Sequence, residues 1–163
     1  MTGALEPGQV VEVEVVAVAV FGFFGRHGAQ GLLVRLPEVS WIASFGSCAL
    51  FTDVGERHTV RVLHVDAASG RVSASIRRLH PDPWPADTIA AGRVYRARVL
   101  RRVAHADRCG GAPAHLVELV PGGFAMLCDT GHPLAPGEIC PVLVRSADPR
   151  RRAVELALVE ESR

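Results

Sequence analysis

Three of the chain's six phenylalanines fall within four positions, Phe21-Gly22-Phe23-Phe24. Aromatic rings so spaced either plug a hydrophobic core or stand on a surface and stack against flat ligands such as nucleic-acid bases. Gly22 and Gly25 let the backbone bend or bulge here, and such bends re-aim side chains onto a surface. Phe23 lies between the other two, and strand alternation sends it to the face opposite Phe24. For Phe21 a core position and a surface position are equally open. Arg26, His27 and Arg35 lie close by in sequence. Every basic side chain of the chain is arginine, with no lysine. Planar guanidinium groups suit phosphate recognition, whereas His27 reads as an ordinary loop histidine.

Other residue types that could do chemistry form weaker patterns. The four cysteines (Cys48, Cys109, Cys128, Cys140) contain no CxxC pair. Their count permits disulfides, but nothing marks the chain as secreted, so reduced thiols are expected. Cys109-x5-His115 and Cys128-x3-His132 could together supply four metal ligands. That spacing is irregular, and isolated cysteines in apolar surroundings more often fill cores, so neither a metal nor a cofactor is expected. Gly-rich phosphate loops, nucleophile elbows and paired catalytic carboxylates are missing from the sequence. His64 and Asp66 share a strand face, but no serine or cysteine can be assigned as a nucleophile beside them. The expectation is a protein that is not an enzyme.

The elements that would position these residues are strands. With 48% hydrophobic and 21% charged residues, the 163-residue chain is globular. Its net charge of +1 supplies no overall field towards nucleic acid or membrane. The first residues lack a basic start followed by an apolar core, and no apolar run approaches the ~18–20 residues of a membrane span. A cytoplasmic location without a membrane partner is therefore expected. Val11, Val13 and Val15 alternate with Glu12 and Glu14, which predicts a strand from about Val10 to Val20, dry on one face. A short strand holding Phe23 and Phe24 follows, then a turn over Arg26–Gly31 and a third strand over Leu32–Leu36. Residues 37–51 read as a loop with a helical turn near Trp41. Thr59–Asp66 and Arg71–Ile76 form a hairpin around Ala67-Ala68-Ser69-Gly70. Five strands in about 70 residues without a helical period suggest a small closed barrel.

This order of features resembles the S1 RNA-binding domain, a five-stranded OB-fold barrel. The matching pieces are Gly8-Gln9-Val10, Val20-Phe21-Gly22-Phe23-Phe24, Gly31-Leu32-Leu33-Val34, Val54-Gly55-Glu56, Val62-Leu63-His64-Val65-Asp66 and Gly70-Arg71-Val72-Ser73-Ala74-Ser75. Leu79-His80-Pro81-Asp82-Pro83-Trp84 is similar to the tail of several bacterial members. The resemblance implies a face, built largely on strands two and three, that holds single-stranded RNA. Phe21 and Phe24 fall on its stacking positions, and Asp66 and Arg71 on its polar and basic positions. The family's frequent histidine falls on Val34, with Arg35 beside it.

The second half repeats the first in outline. Gly92-Arg93-Val94 echoes Gly8-Gln9-Val10 at an offset of 84, and Gly137 echoes Gly55 and Asp148 echoes Asp66 at 82. The fold class is therefore all-β, with two small five-stranded OB-fold (S1-like) barrels in tandem. The divisions are residues 1–80, a stiff proline-rich connection over 81–90, and a diverged barrel over 91–163. Trp84 is expected to pack onto a neighbouring barrel. The second barrel lacks the aromatic pair, and Phe124 reads as part of a buried strand. Residues 91–163 carry 11 arginines against 8 acids, whereas residues 1–80 balance at 7 and 7. Arg96 and Arg98 project from one strand face, and Arg150-Arg151-Arg152 cluster in a turn. The two groups would meet if the first and last strands of that barrel paired. Solvated faces are the ordinary reading of such runs, and Arg26, Arg96, Arg98, Arg150 and Arg151 are secondary candidates for phosphate.

Two functions follow from these readings. In the first, the chain binds single-stranded RNA, alone or within a ribonucleoprotein, by stacking on Phe21 and Phe24 with arginine contacts to phosphate. In the second, the barrel has lost RNA binding and docks a protein partner.

Overall fold

The computed structural model describes residues 4–43, 45–106, 109–128, 130–131 and 133–160. Its regular structure there is ten strands and short 3-10 turns, with no α-helix among the described residues. The chain divides into two units. One holds the residues up to Ser40 together with Ser47–Pro81; the other holds Trp41–Gly46 and everything from Asp82 onward.

The first unit is a closed barrel of β1 (Val10–Ala19), β2 (Gly22–His27), β3 (Gln30–Arg35), β4 (Arg57–Val65) and β5 (Val72–Ser75), ordered β1-β2-β3-β5-β4. Alternation along β1 does what the sequence predicts. Val11, Val13 and Val15 are buried with Phe23, Val34, Val60 and Val62, each of the larger apolar side chains contributing about 1.5–3 kcal/mol by leaving water. Glu12 and Glu14 point outward and pair with Arg57 and Arg26, each at 3.1 Å. The β2–β3 turn is tighter than expected: His27 pairs with Gln30, leaving Gly28 and Ala29 as the turn. The His27 ring Nδ1 lies 2.9 Å from the Glu12 carbonyl oxygen, which fastens the end of β2 to β1. Leu36 leaves the strand for a 3-10 turn, Leu36–Glu38, where Pro37 has no N–H to give a ladder. The barrel closes where β3 runs parallel to β5, with Leu33 opposite Ser73 and Val34 opposite Ala74.

The second unit contains β6 (Val94–Val103), β7 (Ala114–Val120), β8 (Gly123–Cys128), β9 (Ile139–Asp148) and β10 (Ala153–Leu158), in the order β10-β9-β6-β7-β8. That is the order of the first barrel opened at its β3–β5 seam, β5-β4-β1-β2-β3. The correspondence extends to irregularities. The register of β1 against β2 shifts between Val15 and Ala17, and that of β6 against β7 between Val99 and Arg101, 84 residues later. Left-handed residues recur as Gly8 and Gly92, Gly55 and Gly137, and Gly70 and Arg152. The sheet is not closed by hydrogen bonds, since among the described residues β8 pairs with β7 alone and β10 with β9 alone.

The excursion Trp41–Gly46 and the proline-rich stretch both build the second unit. Ile42, Trp84 and Ile89 join Val99, Leu127 and Val142 in its core. The two tryptophans act together. The Trp84 indole donates to the Trp41 carbonyl at 2.6 Å, and the Arg152 guanidinium lies 5.4 Å from the centre of the Trp41 ring. Arg152 also grips the Asp82 carboxylate with both terminal nitrogens, at 2.8 and 2.6 Å.

Two expectations are overturned. Cys109 and Cys128 form a disulfide, with their Cα atoms 5.6 Å apart. The β6–β7 connection folds back on the end of β8, a juxtaposition set by register and invisible in spacing. The bond takes both thiols from the four-ligand metal set. Of its other members, buried His115 accepts a hydrogen bond from the Leu134 amide at its Nε2, and His132 lies outside the described residues. Cys48 and Cys140 are free and buried, and burial pushes the Cys48 thiol up to about 12. Secondly, β6 and β10 do not pair, because β9 lies between them.

Candidate nucleic-acid interface

Phe21 sits in the β1–β2 turn and Phe24 on β2. They are 55% and 39% exposed, while Phe23 between them is fully buried against His58. The Phe21 and Phe24 rings meet edge to face, with centroids 6.0 Å apart and planes at 88°. This is a favoured aromatic geometry, and it leaves ring surface on the outside of the barrel. Gly22 makes the arrangement possible. A Cβ at that position would collide with the Val34 carbonyl oxygen on β3, so the backbones pass too closely for any other residue.

Strand register builds a face around the rings. Phe24 lies opposite Leu33, Leu33 beside Ser73, and Ser73 opposite His64, one row across four strands. Exposed Arg35 follows two residues along β3 from Leu33, and Arg71 stands two residues before Ser73, so each keeps the row's parity. Arg35 and Arg71 therefore flank this row on its two sides, each about 7 Å along the strand direction. Both are exposed, and neither has an ion pair among the described residues. The Gln30 side chain donates to the Gly70 carbonyl at 3.3 Å, which holds the hairpin carrying Arg71 against β3.

The remaining candidates divide. Asp66 caps the β4–β5 turn, its carboxylate accepting from the Ala68 and Ser69 amides at 3.0 and 3.4 Å. Hydrogen bonds from Ser69 and Ala68 hold its carboxyl below the ordinary range. Asp148 does the same for Arg150 and Arg151 in the second unit, so this aspartate is a turn former in both. Arg26 is neutralised by Glu14, and Arg98 pairs with Glu118 at 3.1 Å. Arg96 is exposed on β6, opposite Pro141 near the start of β9, whereas Arg150 and Arg151 follow the far end of β9, about 30 Å along that ten-residue strand. These arginines do not form one cluster. Val34 is fully buried opposite Phe23, so it is a core residue of the closed seam and the outward position beside it is Arg35.

No family model matches the chain. Among curated proteins, it is 35% identical over 99 residues to the small ribosomal subunit protein bS1 of Leuconostoc lactis, covering 60% of this chain and 23% of that one. The bS1 protein of Rhizobium meliloti aligns with 94% of this chain at 26% identity, over 28% of its own length. Over these stretches the chain is similar to ribosomal bS1 proteins, and its two five-stranded sheets have the OB-fold order. A 4-hydroxy-3-methylbut-2-enyl diphosphate reductase of Clostridium acetobutylicum is also 35% identical over 100 residues, a match that takes in 15% of that enzyme. The chain thus spans 15–28% of the length of these relatives.

On this barrel, sequence reasoning missed Leu33, Ser73 and His64 as companions of Phe24. The alternation of His64 with Asp66 was legible. Its alignment with Phe24 was not, because it passes through the parallel β3–β5 pairing, which joins segments 40 residues apart.

Proposed function

We propose that the chain binds single-stranded RNA on the first barrel, with little sequence preference. Bases would stack on Phe21 and Phe24, and Arg35 and Arg71 would contact the backbone. The carrying observation is the pair of exposed rings in edge-to-face contact, flanked by two exposed arginines. Stacking is sequence-tolerant because every base has a π-face, and is worth about 1–3 kcal/mol per base. Two arginines release few counterions, so affinity should be modest and fall by a log–log salt slope of about −1 to −2. The kinship with ribosomal bS1 proteins supports the same reading.

The test is a titration with a short unstructured oligouridylate at several salt concentrations, followed by fluorescence anisotropy. Binding at low salt that weakens in Phe24→Ala, and whose salt slope flattens in Arg71→Gln, is the expected result. No binding at low salt, or binding indifferent to both substitutions, overturns the proposal.

A further inference from the structure

The row that begins at Phe24 ends in a second flat ring. His64 stands on β4 opposite Ser73, Ser73 lies beside Leu33 on β3, and Leu33 lies opposite Phe24. Val60 and Val62 are buried, so strict alternation along β4 would carry His64 into the core as well. The β4–β5 register shifts between Val62 and His64 instead. Such a bulge re-aims the side chains that follow it, and it turns His64 out onto the side of Phe24. The β1–β4 ladder stops at Val10 opposite Arg61, so the histidine has a paired strand on its β5 side alone. His64 is exposed and Ser73 half-buried, and among the described residues neither side chain is hydrogen-bonded. Asp66 is near enough for its charge to interact with His64, but its carboxylate is committed to the Ala68 and Ser69 amides.

The second unit has the same bulge and other side chains. Its register shifts between Glu155 and Leu156, with Glu155 opposite Ser146, 82 residues after Ser73 and His64. The unit that buries the counterpart of Phe24 thus carries no ring at this place either, and a carboxylate beside it that repels phosphate. Imidazole stacks on bases as phenylalanine does. We propose that His64 is a third stacking platform for RNA on the first barrel, at the opposite end of the row from Phe24. The inference rests on RNA binding by that barrel. The Phe21 and Phe24 ring centroids are 6.0 Å apart, so two adjacent nucleotides cover both. Three strand spacings, about 14 Å around the barrel, separate Phe24 from His64. At the pitch of the phenylalanines that distance takes about two nucleotides more, crossing over Leu33 and Ser73. The whole site is then about four nucleotides long, at the short end of the range for OB folds.

The probes are oligouridylates of two, four and six nucleotides, titrated into the full chain at low salt and followed by NMR shift changes, which also register weak binding. His64→Ala should weaken the tetramer and hexamer about fivefold or more and leave the dimer unchanged, whereas Phe24→Ala should weaken all three. His64→Phe should keep the tetramer at wild-type affinity or better, and His64→Lys should not. Wild-type tetramer affinity in His64→Ala, while Phe24→Ala still loses it, overturns the inference and leaves RNA binding by the first barrel standing. Equal weakening of the dimer by His64→Ala overturns it too. Rescue by His64→Lys but not by His64→Phe also does so, making the position a phosphate contact. No binding of any oligouridylate to the wild-type chain overturns both this inference and the function it rests on.

Discussion

The two units share one frame and differ at equivalent positions. Phe24 of the first barrel corresponds, through the shared β1–β2 and β6–β7 registers, to Leu116 of the second. Phe24 is 39% exposed and Leu116 is fully buried. Phe23, a core plug in the first, corresponds to His115 in the second, also buried. The first unit closes its seam with small residues and leaves an aromatic row on the outside. The second leaves the seam without hydrogen bonds among the described residues and buries Leu116 and Met126 of the matching row. A barrel frame therefore does not specify a ligand face. The side chains on a few outward positions, and whether anything covers them, decide that.

The largest effect that would sharpen this contrast comes from truncating the equivalent pair. Leu116→Ala should cost about 2–5 kcal/mol in chemical denaturation, because it empties a buried site. Phe24→Ala should change stability by less than about 1 kcal/mol, since its ring is already partly in water. Comparable losses from both would erase the distinction between a core position and a ligand face.

Next in size is RNA affinity. Phe21→Ala and Phe24→Ala should each weaken oligouridylate binding by about 1–3 kcal/mol, with Leu116→Met leaving it unchanged in the same anisotropy assay. Loss of affinity from Leu116→Met would move the binding surface to the second unit.

Smaller still is the turn comparison. Gly70 and Arg152 occupy the same left-handed position, with φ of 73° and 55°. Arg152 is held there by its paired contacts to Asp82 and its place over Trp41. Gly70→Ala adds the steric penalty with none of those contacts, and should cost about 1–2 kcal/mol in thermal or urea unfolding. Tolerance of alanine without loss would mean that the first hairpin relaxes freely.

The smallest expected effect separates the units by acid. Burial pushes the Glu38 carboxyl up, but the Ser75 hydroxyl and the guanidinium groups of Arg78 and Arg77 outweigh it and hold it below its ordinary 4.5. A lowered carboxyl stabilises the folded state above its unfolded value and loses that contribution as pH falls through the folded one. Wild type should therefore exceed Glu38→Gln in stability by about 1 kcal/mol or less near pH 6, and the gap should close as pH drops below 4.5. A gap that stays constant down to pH 3 would place the contribution elsewhere than in ionisation.

Sequence alone determined the strands of the first barrel, the inward course of Val13 and Phe23, the outward course of Phe24, and the repeat at offsets of 82 and 84. These are local properties. Alternation has a period of two, turns need glycine or aspartate at fixed places, and both are printed in order along the chain. Tertiary structure decided everything that joins distant segments. The parallel β3–β5 pairing placed Ser73 and His64 in the row of Phe24 and turned Val34 inward. The fold of the β6–β7 connection brought Cys109 to Cys128. The departure of Trp41–Gly46 from the first unit gave both tryptophans, Asp82 and Arg152 a common task in the second. Such pairings depend on which chain edges meet in space, and residue spacing carries no record of that.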